Sequence, residues 1–228
     1  MKEDTFQPAL LQFLEELTHN NNRAWFQGNK PRYEAEVLEP ALAFIRAFQP
    51  RLMTISPSFI ASDKRVGGSM MRIYRDTRFS KAKTPYKTNV GIQFRHEFGK
   101  DVHAPGFYIH ISPEECYLGI GLWRPDSKAL GKIRESIVDD AAKWKRVRDD
   151  KEFRSKFEFA GDSLKTAPRG YPKDHPLIED LRRKDFIGMR HLTKKDVLSD
   201  DFIDDVESAF AASSPYMRYL CEALSLPF

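Results

Sequence analysis

The sequence predicts an α+β fold in which a mainly antiparallel central sheet, about residues 69–123, is covered by N-terminal and C-terminal helices. Two observations predict this arrangement. Apolar residues recur at helical spacing within residues 8–53 and again within residues 126–228, whereas apolar and polar residues alternate between these segments. A chain of 228 residues can form one large domain or two small ones without disulfides or metals, and of these we expect a single domain over residues 1–228.

The N-terminal segment is predicted to form amphipathic helices. An apolar stripe from Leu10 to Leu17 follows Pro8 at helical spacing, and the asparagines at 20–22 suit the end of this helix and the cap of the next. Pro31 then suits the first turn of a longer helix. Pro40 falls inside that helix and should kink or divide it, because proline removes an intrahelical hydrogen bond.

The central segment alternates between apolar and polar residues, which predicts strands at 70–75, 89–95, 106–112 and 115–123. The last two form the clearest hairpin, with a loop at Pro113 and Glu114. After Pro125 the helical pattern returns. Phe186–Leu192 is ambiguous, and a short edge strand is one interpretation of it.

One face of the predicted hairpin carries polar, aromatic and glycine residues instead of an apolar core stripe. These residues are Tyr108, His110, Tyr117, Gly119, Gly121 and Trp123. Two glycines at alternating positions indicate that something approaches the backbone closely. The neighbour is either a ligand or a packed helix, from the Trp25 segment or the C-terminal part, and helix packing is the commoner use of strand glycines.

A basic run at residues 72–87 connects the first two predicted strands. It holds six Lys or Arg and one acid, and the wider window 64–103 holds ten Lys or Arg and three acids, in a chain whose net charge is only +4. Clustered cations attract phosphates and carboxylates, and Arg offers these anions bidentate donors. The candidate anion-binding residues are Arg72, Arg75, Arg78, Lys81 and Lys83. The alternative is a solvated connection whose arginines pair with surface carboxylates.

The histidines suggest acid–base chemistry more than metal binding. A His/carboxylate cluster consists of His96, Glu97, Asp101, His103 and His110. Its spacing matches no helix-borne or Cys-containing signature, so no metal site is predicted. Histidine side chains ordinarily titrate near neutrality, and His110 lies beside Tyr108 and Tyr117 on the predicted sheet, which makes these three the candidate catalytic residues.

The composition indicates a cytoplasmic protein without membrane association. No apolar run approaches the roughly 18 residues of a membrane span, and the N-terminus lacks the pattern of a signal peptide. The two cysteines, Cys116 and Cys221, lie far apart in the sequence, which favours reduced, buried thiols over a disulfide.

Several segments are distinctive when taken together. They are NNNRAWF at 20–26, the basic run at 72–87, HAPGFYIH at 103–110, GIGLW at 119–123, and PRGY at 168–171 followed by DHP at 174–176. In this order they resemble the uncharacterised family called domain of unknown function 2461, over nearly the whole chain. The resemblance implies one domain unit and supplies no activity, cofactor or catalytic residue.

Three functional hypotheses therefore rest on the residues themselves. The first is a pocket for a phosphate-bearing or other anionic small molecule, with or without catalysis, in which Trp123, Arg169 and His175 join the basic run as ligand-binding residues. The second is sequence-nonspecific nucleic-acid binding, in which Phe79 and Tyr86 stack on bases. The third is a structural or interaction protein whose arginines pair with distant acids, such as those at 200–207. No cofactor is identified.

Overall fold

The centre of the structure is a six-stranded antiparallel sheet. The computed structural model describes residues 5–76, 78, 83–99 and 104–228. Its strands are β1 (Phe59–Ile60), β2 (Val90–His96), β3 (Gly106–Ile111), β4 (Cys116–Leu122), β5 (Glu158–Ala160) and β6 (Phe186–Leu192). They lie in the order β1-β2-β3-β4-β6-β5, and each neighbouring pair is antiparallel. The predicted α+β class with an antiparallel central sheet is confirmed.

The sheet extends beyond the residues predicted for it. β1 precedes the predicted range, and β5 and β6 come from the part predicted to be helical. Phe186–Leu192, interpreted as a short edge strand, is an interior strand that pairs with β4 along its whole length and with β5 on its other side. Its sequence shows no clean alternation, because Ile187 and Met189 on one face are as apolar as Phe186 on the other.

Residues 70–75 do not form the continuous strand predicted for them. Met70 makes a single bridge with Ile92 of β2, and Tyr74 makes a single bridge with Tyr86. β1 already pairs with the His96 end of β2, so the segment around Met70 can pair only with the remaining edge of that strand. The segments around Tyr74 and Tyr86 pair with each other instead.

Helices form the N-terminal part and most of the chain after β4. The first four are α1 (Pro8–His19), α2 (Arg23–Gly28), α3 (Lys30–Tyr33) and α4 (Glu39–Ile55). The later ones are α5 (Ser127–Asp139), α6 (Ala141–Arg148), α7 (Lys151–Lys156), α8 (Ile178–Leu181), α9 (Lys194–Val197), α10 (Phe202–Ala212) and α11 (Ser214–Ala223). A π-helical turn, Glu34–Leu38, joins α3 to α4, so the helix changes geometry next to Pro40. None of the helices that the structure describes is long and apolar enough to cross a membrane.

The two faces of the sheet have different neighbours. On the core face, the ring of Phe94 stacks on Phe48 of α4 at 5.2 Å between centroids, and the ring of Phe107 lies 4.8 Å from that of Phe210 of α10. The other face, which we call the open face, carries the alternate side chains of the same strands, because successive strand residues point to opposite sides. The candidate site lies on this open face and beside it.

Candidate functional site

Strand pairing arranges the open face in rows that run across the sheet, since residues directly opposite one another on neighbouring strands are side-chain neighbours. The first row holds Gly91, His110, Tyr117 and His191; the second holds Gln93, Tyr108, Gly119 and Met189; the third holds Arg95, Gly106, Gly121 and Ile187. The tyrosines, the histidine and the glycines that alternation assigned to one face are therefore brought together.

Glycines of the second and third rows form the floor of a cleft of about 430 Å³, which we call the sheet-face cleft. Around this floor stand Met71, Gln93, Tyr108, Tyr117, Trp123 and Met189. A Cβ at Gly119 would lie 3.6 Å from the Cβ of Tyr108, an ordinary contact distance. Gly121, in contrast, has φ of 103°, and a Cβ there would overlap the carbonyl oxygen of Phe186, so this position requires glycine.

No helix occupies the cleft among the residues that can be described. The residues lining it come from strands and from the connections at Met71, Ala104 and Trp123. Trp25, whose segment was one of the helices considered for this face, packs instead against Phe13 of α1, with 5.6 Å between ring centroids. Among the described residues, the bare face at Gly119 and Gly121 is therefore not covered by a packed helix.

A Tyr–His–Tyr cluster adjoins the cleft. The hydroxyl of Tyr108 lies 3.2 Å from Nδ1 of His110, and the His110 ring stacks on Tyr117 with 4.6 Å between centroids. Burial lowers the pKa of His110, although the negative charge of Glu115 opposes this effect, and burial raises the pKa of both tyrosines. The neutral imidazole can accept a hydrogen bond from the Tyr108 hydroxyl at Nδ1 and carry its own proton at Nε2.

Trp123 stands half-exposed at the rim of the cleft, at a turn that a buried carboxylate fixes. The next residue, Arg124, has φ of 48°, a left-handed conformation that is uncommon outside glycine. Its backbone N–H donates to Oδ1 of Asp185 at 2.7 Å, and the N–H of Asp162 donates to Oδ2 at 2.8 Å. Asp185 is only 4% exposed, so one side chain holds two connections in place.

A second depression, which we call the cationic groove, lies beside the sheet-face cleft and has a volume of about 680 Å³. Its cationic lining residues are Lys30, Arg65, Arg72, Lys87 and Arg95, and no Asp or Glu lines it within the described part of the chain. Met71 lines both depressions. Nε of Arg95 also donates to Oε1 of Gln93 at 3.3 Å, which joins a groove residue to a cleft residue.

Lys87 is half-buried, whereas the other four cations of the groove are exposed. Burial lowers the pKa of Lys87, and the positive charge of Arg72 lowers it further. Arg65 forms an ion pair with Glu39 and lies 4.0 Å from Glu34. Within residues 5–76, 78, 83–99 and 104–228, no ion pair involves Arg72 or Lys87.

The described residues of the basic run do not all line the same depression. Arg75 and Lys83 line a neighbouring depression together with Arg23, whereas Arg72 lines the cationic groove. Arg78 pairs with Asp76, with 2.7 Å between Nη2 and Oδ2. Lys81 and Phe79 lie outside the described residues.

Arg169 and His175 lie apart from both depressions. Neither residue lines the sheet-face cleft or the cationic groove. Nδ1 of His175 accepts the backbone N–H of Leu177 at 3.1 Å, and the guanidinium of Arg182 donates to the carbonyl oxygens of Leu164 and Lys165. This loop is organised by its own hydrogen bonds.

The acids of α10 pair with arginines outside the basic run. Arg51 of α4 binds Glu207 and lies 2.6 Å from Asp204, and Arg190 of β6 lies 2.9 Å from Asp205. The hypothesis that these acids neutralise the basic run therefore receives no support at these three positions.

Sequence reasoning missed several residues of the site. Arg95 shares a strand face with Gly91 and Gln93, so alternation could have assigned it. Lys30 comes from α3, and no local pattern connects it to β2. Within the described ranges, no group of three or more His, Cys, Asp or Glu side chains could hold a metal ion.

Comparison with known proteins identifies the family. The family described as a conserved hypothetical protein, DUF2461, matches residues 9–219 of the 228. The chain belongs to this family, in agreement with the resemblance seen in its sequence. No curated protein and no solved structure matches the chain.

Proposed function

We propose that this DUF2461 protein binds a small anionic molecule, whose anionic group lies in the cationic groove beside Lys87 and Arg72. The observation that carries the proposal is a groove lined by five cations and, among described residues, by no carboxylate. Because exposed cations usually pair with nearby acids or remain dispersed, a concave surface with four cations besides Arg65, which pairs with Glu39, favours an anionic ligand.

Lys87 provides the strongest electrostatic argument. A half-buried ammonium group has lost part of its hydration, and the guanidinium of Arg72 repels it; both effects lower the pKa of Lys87. A phosphate or carboxylate in the groove would oppose both effects, since it supplies a counter-charge and hydrogen-bond acceptors. Arg72 would add bidentate donors that lysine lacks.

The Tyr108–His110 pair has a different role from that of the cations of the groove. Tyr108 lines the neighbouring sheet-face cleft, and its hydroxyl is already 3.2 Å from Nδ1 of His110. The pair therefore suits hydrogen bonding to an uncharged part of the ligand, or acid–base chemistry there, whereas the anion is held by the groove.

Titration calorimetry with inorganic phosphate at low ionic strength tests the proposal. Lys87→Met keeps the apolar stem of the side chain and removes its charge, and Arg72→Gln removes the bidentate donors. The matched controls are Lys128→Met and Arg146→Gln, at exposed helical positions that do not line the groove. We expect phosphate affinity to fall at least about tenfold in each groove variant and to stay unchanged in the controls.

Equal phosphate affinity in the wild type, Lys87→Met and Arg72→Gln would overturn the proposal, as would the absence of phosphate binding to the wild type. A labelled single-stranded oligonucleotide, titrated at low and high salt, separates the nucleic-acid hypothesis. Oligonucleotide binding that falls steeply with salt but is unaffected by Lys87→Met would favour that hypothesis over ours.

A further inference from the structure

The floor of the sheet-face cleft is bare backbone. Gly119 lies opposite Tyr108 and Met189 in its row, and Gly121 lies between Gly106 and Ile187 in the next. Neighbouring strands are about 4.8 Å apart and alternate residues of one strand about 7 Å apart, so the bare area has about the dimensions of a one- or two-ring aromatic group.

The side chains around this floor suit contact with a planar ring. They are the aromatic residues Tyr108, Tyr117 and Trp123 and the thioether residues Met71 and Met189. Aromatic rings stack offset or edge-on against one another, and thioether sulfurs make favourable contacts with ring edges. The ring of Tyr117 is supported from behind by the nearly parallel ring of His110, at an interplanar angle of 5°, so this wall is ordered before a ligand enters.

Charge divides the combined surface into two parts. No Asp, Glu, Lys or Arg is among the described residues lining the sheet-face cleft, whereas five cations line the adjoining groove. The two parts meet at Met71 and at the hydrogen bond between Arg95 and Gln93. A volume of about 430 Å³ lies within the roughly 300–1,000 Å³ of small-molecule sites.

We infer that the sheet-face cleft binds a planar aromatic ring that carries the anionic group, so that one ligand spans the cleft and the cationic groove. The ring lies on Gly119 and Gly121 beside Trp123, and its anionic substituent extends past Met71 toward Lys87 and Arg72. This inference deepens the proposed function and rests on it for the position of the anion; the ring site rests on the cleft alone.

Three matched probes test the inference by titration calorimetry: adenosine 5′-monophosphate, adenosine and ribose 5-phosphate, which carry ring and anion, ring only, and anion only. A second pair, benzoate and cyclohexanecarboxylate, repeats the comparison with another planar ring and its saturated counterpart. We expect at least one ring-bearing anion to bind about tenfold more tightly than its ringless or saturated counterpart, because aromatic stacking contributes on this scale.

Gly119→Leu is the informative variant, because the Cβ fits without strain and the longer side chain fills the floor of the cleft. The matched control is Gly131→Leu in α5, where a Cβ meets nothing within 4 Å. Trp123→Ala removes a half-exposed rim residue and provides a second test, and thermal melting verifies that each variant is folded. We expect Gly119→Leu and Trp123→Ala to abolish the affinity gained from the ring while ribose 5-phosphate binding is unchanged.

The outcomes separate this inference from the proposed function. If neither ring-bearing anion binds more tightly than its counterpart, or if the gain persists in both Gly119→Leu and Trp123→Ala, the ring site is wrong, even where phosphate binding depends on Lys87. If these cleft variants abolish the affinity gained from the ring but Lys87→Met leaves phosphate affinity unchanged, the ring site is supported and the proposed anion site is wrong.

Discussion

Replacement of Asp185 by alanine should destabilise the protein and disturb the rim of the sheet-face cleft. Both carboxylate oxygens accept backbone N–H groups, from Arg124 at 2.7 Å and from Asp162 at 2.8 Å. Arg124 has φ of 48°, and Gly161, which precedes Asp162, has φ of 93°. One carboxylate therefore stabilises two connections that contain left-handed backbone conformations.

The size of the effect follows from these two hydrogen bonds. A hydrogen bond to a charged group contributes about 1.5–3 kcal/mol, so the loss of two gives about 3–6 kcal/mol. Asp185 is 4% exposed, but Arg124 and Asp162 are themselves exposed residues, so water can partly replace the carboxylate. We therefore expect about 3 kcal/mol, which for a chain of this length corresponds to a decrease in Tm of about 6–12 °C.

Urea denaturation followed by circular dichroism measures this change in the free energy of unfolding. Asp185→Asn retains the shape but turns one acceptor into a donor that faces an N–H group, so it should also be destabilised, by about half as much or more. Asp174→Ala, at an exposed position, is the control and should change stability by less than about 0.5 kcal/mol. A cost below about 1 kcal/mol for Asp185→Ala would refute the argument that this carboxylate fixes the two connections.

Two further predictions concern charge. Because the pKa of Lys87 is lowered, its positive charge is lost at lower pH than that of an ordinary lysine. The charge of sulfate is constant between about pH 8 and about pH 10, so sulfate should bind more weakly as pH rises through this range. Lys87→Met should flatten this pH dependence of sulfate affinity, which calorimetry measures. Unchanged sulfate affinity across that range in the wild type would contradict this assignment. Arg190→Ala should lower the free energy of unfolding by about 1 kcal/mol, because it removes the half-buried ion pair with Asp205. Arg75→Ala, at an exposed position, should leave the melting temperature within about 1 °C of the wild type. A larger decrease in melting temperature for Arg75→Ala would instead support a structural role of the basic run.

Alternation was sufficient to find the centre of the sheet. In each of β2, β3 and β4 the residues that are not buried all lie on one face, and alternation in the sequence assigned Tyr108 and Gly119 to this face, opposite Phe107. β6 was interpreted as a short edge strand, and its interior position was not predicted, because apolar residues lie on both of its faces. Its burial does alternate from Phe186 to Met189, but Ile187 and Met189 on the less buried face are apolar, so the sequence does not show the apolar–polar alternation that predicts a strand.

The candidate site was predicted in part. Tyr108, Tyr117 and Trp123 were identified because their positions in the strand pattern place them on one face, and they do line the cleft. The basic run was identified from charge density, but charge density does not determine where side chains point: Arg72 and Arg75 line different depressions. The sequence did not predict the role of Asp185, because nothing in the spacing of residues connects an aspartate before a strand to the distant backbone N–H groups that it binds.

The sequence by itself determined the fold class, the two faces of the central strands and the excess of positive charge near residues 64–103. These are local properties, since side chains alternate along any strand and charges add up along any segment. Only the tertiary structure decided that β6 places Met189 and Ile187 beside the glycine floor, that Lys30 from α3 and Arg95 from β2 join Lys87 in one groove, and that Met71 lies between groove and cleft. These relations depend on strand register and on contacts between residues distant in sequence, which residue spacing does not encode.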